Sequence, residues 1–155
     1  FKGDVAMSWL DEIRAKSISV LLFNAGGCTG CARQFQSALT LDSGRGITLT
    51  GNPRHTDVLF VAGCINKKSA DYLKQLYEKM PSPKAVVAAG ACACEGNPFR
   101  MEGNGINALE EILHVDACVR GCAPEMDEML ETIINVVQNG YEEYKDGSDY
   151  DKELK

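Results

Sequence analysis

Ile18-Ser-Val-Leu-Leu-Phe-Asn-Ala-Gly-Gly-Cys-Thr-Gly-Cys31 is the stretch on which the fold turns. An apolar run rich in β-branched side chains stops at Gly26-Gly27. Cys31, Phe35, Ala38 and Leu39 then recur at helical spacing. A continuous apolar run that passes through a glycine turn into an amphipathic helix reads as a buried strand and its crossover. The pattern repeats. Residues 57–62 form a second run ending at Gly63-Cys64, and a helix follows with Ala70, Leu73, Leu76, Tyr77 and Met80 on one face, stopped by Pro81. Residues 85–89 form a third run, ending Gly90-Ala91-Cys92, and residues 115–119 a fourth, ending Gly121-Cys122.

Working outward, residues 47–50 predict a short extra strand, and Ile106, Leu109, Ile112 and Leu113 predict a helix over 106–113. Pro124 suits the first turn of a last helix. Met126, Met129, Leu130, Ile133, Ile134 and Val137 give that helix its stripe, and Gly140 is its expected stop. Apolar strands alternating with helices imply a parallel sheet covered on both faces. The expected fold is therefore α/β, a flavodoxin-like doubly wound parallel sheet in a single domain. Residues 18–140 form that domain. Residues 1–17 read as an N-terminal docking segment with one short amphipathic helix (Trp9, Leu10, Ile13), and 141–155 as a charged tail.

The composition agrees with one domain: 155 residues, 45% hydrophobic and 25% charged, enough to bury about two-thirds of the unfolded surface. Disordered, collagen-like and coiled-coil chains are excluded. The net charge of −6 argues against a general nucleic-acid binder, which would be basic. No apolar run approaches the roughly 18 residues of a membrane span. No export signal is visible, so a reducing compartment is expected, and the start at Phe1 leads us to expect residues upstream.

Cysteine is the unusual residue. There are seven, and six of them (Cys28, Cys31, Cys64, Cys92, Cys94, Cys122) lie within two residues of a glycine. In an open α/β sheet, ligands bind beyond the carboxyl ends of the strands. All six cysteines should gather there, next to helix N-termini that favour thiolate. Thiolates sharing one pocket repel and need cations between them, which argues for a metal centre. Structural zinc sites usually use two close pairs. Here only Cys28-Thr29-Gly30-Cys31 is such a pair, and an iron–sulfur cluster tolerates scattered ligands better. A C-x-x-C opening a helix after a buried strand is also the thioredoxin-like redox arrangement. Iron–sulfur, zinc and thiol redox all stand at this point. Cys118, inside an apolar run, reads as a small buried hydrophobe. His55 and His114 read as surface or partner-facing residues. Arg54 and Arg120 read as flanking the cysteine edge, either solvated or compensating an anionic group. The Gly26–Gly30 region lacks the spacing and the Lys-Ser/Thr of a phosphate loop.

Taken in order, Asn24-Ala-Gly-Gly-Cys-Thr-Gly-Cys31, Pro53-Arg-His-Thr-Asp-Val-Leu59, Gly90-Ala-Cys-Ala-Cys94 and Val119-Arg-Gly-Cys-Ala-Pro124 resemble the iron–sulfur small subunit of [NiFe] hydrogenases and its relative in respiratory complex I. The resemblance covers roughly 18–140. It implies one proximal [4Fe–4S] cluster held against a large catalytic subunit. By position it implies Cys28, Cys31, Cys92 and Cys122 as ligands. Cys94 is extra to that pattern and Cys64 stands where relatives usually have another residue, so both, lying at the same edge, are expected around the ligands together with Arg54. Complex I relatives carry adjacent cysteines at the first ligand pair, whereas here they are separated, as in hydrogenases. With no cysteine after Cys122, the chain resembles the short subunit of membrane-bound, energy-converting hydrogenases.

Three residues depart from the pattern. Arg33 and Gln34 stand where hydrogenase relatives carry a Glu thought to help proton movement, and Ala123 replaces a proline. The function implied is electron transfer between a [NiFe] large subunit and a ferredoxin-like subunit, not catalysis by this chain alone. No nucleic acid is involved. The implied location is the cytoplasmic side of the cell membrane, with peripheral attachment through other subunits. The alternatives are a complex-I-like quinone oxidoreductase small subunit and, outside the family, a thiol–disulfide oxidoreductase.

Overall fold

The computed structural model describes residues 16–96 and 98–143. The expected helix around Trp9, Leu10 and Ile13 and the tail from 144 onward lie outside the described residues. Strands β1 (Ile18–Asn24), β2 (Ile47–Leu49), β3 (Val58–Ala62), β4 (Ala85–Ala89) and β5 (Ala117–Val119) form one sheet in the order β2-β1-β3-β4-β5. Every pairing is parallel. Helices α1 (Gly30–Leu41), α2 (Lys67–Lys79), α3 (Gly90–Glu95) and α4 (Met126–Glu143) connect and cover it. This is the flavodoxin-like α/β sheet that the alternation of runs predicts.

Alternation along β3 sorts the core into two layers. Val58, Phe60 and Ala62 pack with Phe35 and Ala38 of α1 and with Met129, Leu130 and Ile133 of α4. Leu59 and Val61 pack with Leu73 and Leu76 of α2 and with Leu109. Phe35 stacks on Phe60 with ring centroids 4.1 Å apart. All five residues of β3 are buried, so both faces of this central strand must be apolar. Helix α2 starts where Asn66 accepts a hydrogen bond from Ser69 N at 3.0 Å, a side-chain cap of the preferred type. Two aspartates secure the amino ends of the strands: Ser19 N donates to Asp57 Oδ2 at 3.0 Å and Val86 N donates to Asp116 Oδ2 at 2.7 Å.

The structure corrects four expectations. No α-helix spans 106–113; only the 3-10 turn Leu109–Glu111 forms. Asn107 N donates to Ile65 O at 3.0 Å in an isolated antiparallel bridge, which commits the chain before a helix can start. Residues 90–95, where the third run was expected only to end at Gly90-Ala91-Cys92, form α3. Helix α4 begins two residues after Pro124 and runs through Gly140 to Glu143, since one helical glycine costs only about 1 kcal/mol. Cys118 is exposed, not buried. β5 is an edge strand whose core contact is supplied by Val119.

Candidate metal centre

The sheet register sets the site. Asn24 pairs with Ala62, Ala62 with Ala89, and Ala89 with Val119. The last residues of four strands thus stand in one row. Within two to four residues of that row come Cys28, Cys64, Cys92 and Cys122. Main-chain bonds join the loops in pairs. Cys64 N donates to Gly26 O and Ala91 N donates to Gly121 O, each at 3.0 Å. Ser69 Oγ, on α2, donates to Ala25 O at 2.8 Å and holds the β1 exit.

Gly90 lets α1 and α3 approach. Its φ is +83°, and a Cβ there would stand 2.5 Å from Cys31 Sγ. The absent side chain is the space this sulfur occupies. The thiols act on one another. Burial raises the Cys31 pKa, and the charges of Cys28 and Cys122 raise it further. Cys92 is pushed up to about 12 by burial, by the charge of Cys64 and its hydrogen bond, and by Cys31 and Cys28. For Cys31 and Cys92, burial and mutual repulsion outweigh the helix ends that were expected to favour thiolate. A cationic group among these sulfurs would remove the repulsion and release protons as it bound. The donors are soft and all sulfur. Among the described residues, no three His, Cys, Asp or Glu side chains are grouped to hold a single metal ion. The donor set suits a larger inorganic group, since its sulfurs come from several loops.

Cys94 belongs to a separate arrangement. Its Sγ lies 3.5 Å from Ala88 O and 3.7 Å from Val119 O, and its thiol is hydrogen-bonded to that of Cys118, whose pKa this bond lowers. Arg120 Nε lies 3.7 Å from Glu95 Oε1 at the cysteine edge. Arg54 does not reach that edge. It sits in the 3-10 turn Pro53–His55, ahead of β3 at the amino ends of the strands. The motif carrying Arg54 precedes its strand, whereas the cysteine motifs follow theirs. His55 and His114 are exposed on the amino side too, with His114 Nε2 3.6 Å from Asp116 Oδ1. Sequence reasoning missed the contacts of Cys64 with Cys92 and of Cys94 with Cys118. In the loop after α3 it did not single out Phe99 and Met101, which are exposed.

A parallel sheet that gathers cysteines at its carboxyl edge is the frame on which the comparison with known proteins rests. Residues 28–136 match the family described as NADH ubiquinone oxidoreductase, 20 Kd subunit, and the chain belongs to that family. It is 42% identical over 126 residues to an uncharacterized protein of Methanocaldococcus jannaschii, covering 79% of this chain and 84% of that one. It is 40% identical over 115 residues to a probable membrane-bound hydrogenase subunit of Pyrococcus furiosus, covering 72% and 68%. Among solved structures it is similar to a chain of the membrane-bound sulfane sulfur reductase, an archaeal respiratory membrane complex. The TM-score is 0.70 at 25% identity, covering 92% of this chain and 84% of that one. Among the described residues, no helix is long and apolar enough to cross a membrane.

Proposed function

We propose that this chain is an electron-transfer subunit. It holds one proximal [4Fe–4S] cluster on Cys28, Cys31, Cys92 and Cys122, between a [NiFe]-type large catalytic subunit and a ferredoxin-like subunit of a membrane-bound complex. The observation that carries the reading is the single row of strand ends, from which loops bonded in pairs bring the thiols together. When bound, the cluster supplies one-electron redox chemistry. The chain's own residues set its surroundings. Cys31 and Cys92 hold their sulfurs partly out of water, Cys64 reaches the Cys92 sulfur, and Arg120, paired with Glu95, lies at the edge. The exposed Phe99 and Met101 offer apolar contact to a partner beside that edge, and membrane attachment comes through other subunits.

A complex-I-like module is the second reading, favoured by Arg33 and Gln34. Arg33 stays charged and Gln34 cannot ionise, so neither moves protons near neutral pH. Metal analysis of the intact complex tests both readings. Iron with nickel supports the hydrogenase-type partner, and iron without nickel supports the second reading. Zinc alone, or no metal, overturns both.

Cys64 is expected to tune the cluster without binding it. A hydrogen bond to a ligand sulfur favours the more negative, reduced state, so its loss lowers the potential. A bond of about 1 kcal/mol corresponds to about 40 mV for one electron. Cys64→Ala should keep its iron and lower the potential by that order in an EPR-monitored redox titration. Cys64→Ser, which retains a donor, should recover part of the loss. Loss of iron in Cys64→Ala would make Cys64 a ligand.

A further inference from the structure

Cys94 and Cys118 remain unused by the proposed ligand set. Cys118 is the register partner of Ala88 in the β4–β5 pairing. Partners in parallel strands point to the same face of a sheet. Ala88 and Cys94 belong to the same core layer, so the Cys118 side chain leaves β5 on the face that α3 covers. The Cys94 sulfur rests across this pair of strands, against Ala88 O at 3.5 Å and Val119 O at 3.7 Å, which belong to the register partner of Cys118 and to the residue that follows Cys118. Cys94 is 5% exposed, and Cys118 lies open on the edge strand. An accessible thiol backed by a buried one is the arrangement of an attacking and a resolving cysteine.

We propose that Cys94 and Cys118 form a redox pair, which closes a disulfide between α3 and β5 when a small-molecule disulfide reaches the exposed Cys118. Cys118 Sγ attacks one sulfur of R–S–S–R, giving a Cys118–S–S–R mixed disulfide and releasing one RSH. Cys94 Sγ then attacks Cys118 Sγ, forming the internal bond and releasing the second RSH. The chain loses two hydrogens with their electrons, and the small molecule gains both. α3 carries Cys92 and β5 leads to Cys122, so the bond ties together the supports of two proposed ligands. The pairing depends on the ligand reading only in leaving Cys94 free of iron.

The test uses the full-length, cluster-loaded chain under anaerobic conditions, treated with oxidised glutathione, alkylated and mapped by mass spectrometry. The expected product is a Cys94–Cys118 linked peptide with iron content unchanged. In Cys94→Ala, the glutathione adduct on Cys118 should accumulate at least about fivefold over the unmodified chain, because nothing resolves it. Cys118→Ala, a change at an exposed site, should abolish the link and leave Cys94 unmodified. No linked peptide, with equal adduct in the unmodified chain and Cys94→Ala, would overturn the pairing while leaving the ligand reading intact. Loss of iron in Cys94→Ala would make Cys94 a ligand, overturning that reading and the pairing with it.

Discussion

Cys122→Ser is expected to fold and to lose at least about tenfold of its bound iron, since even supporting residues around a metal change affinity by 10–100-fold. Serine offers a harder oxygen donor in place of a thiolate, at a loop that only Cys122 serves among the proposed ligands. Cys122 is exposed, so the substitution opens no cavity, and the sheet has no reason to fail. Cys28→Ser, Cys31→Ser and Cys92→Ser should behave alike, while Cys118→Ser should keep its iron. Iron analysis and low-temperature EPR of the reduced proteins decide the matter. A normal signal from Cys122→Ser would remove it from the ligand set.

Gly63→Ala should be the most damaging small change to the fold. Gly63 adopts φ +91°, and a Cβ there would press into Gly26 O, 2.7 Å from Asn24 Oδ1 and 3.0 Å from Gly26 N. Those atoms belong to the β1 exit, which is bonded to the β3 exit through Ala25 N and Cys64 N. The left-handed backbone costs about 1–2 kcal/mol for a residue with a side chain, and forced packing against backbone adds about 1–3 kcal/mol. At this chain length each kcal/mol lowers the midpoint by about 2–4 °C, so Tm should fall by about 5–15 °C. Gly51→Ala is the control. A Cβ at Gly51 meets nothing within 4 Å, and its Tm should stay within about 1–2 °C. Equal shifts for the two would show that the close approach at Gly63 is not what holds the turn.

The parts of the fold legible in the sequence were those where burial is two-sided or a breaker is decisive. Val58–Ala62 is apolar on both faces because it is the central strand, and Pro81 follows directly on the buried Met80 that caps α2 after Lys79. Where tertiary contacts competed with local pattern, the sequence misled. Ile106, Leu109, Ile112 and Leu113 carry a helical stripe, yet the Asn107–Ile65 bridge takes the backbone groups first. Cys118 has apolar neighbours, yet strand order alone decides that β5 lies at the edge. For the site, strand endings revealed which cysteines share an edge, because parallel topology dictates it. Side-chain directions decide which sulfur touches which, and no spacing rule gives the contact of Cys64 with Cys92 or of Cys94 with Cys118.

The outer strands β2 and β5 have three residues each. A rim that short presents few free main-chain groups for another chain to extend, and natural proteins shorten edges to discourage such addition. Side-by-side growth of the sheet is therefore a poor route to assembly for this molecule. On the proposed function, the recognition surface would be the end of the strands, where loops rather than ladders meet a neighbour. An association built that way would face the partner with the same sulfur-bearing rim that an electron would cross.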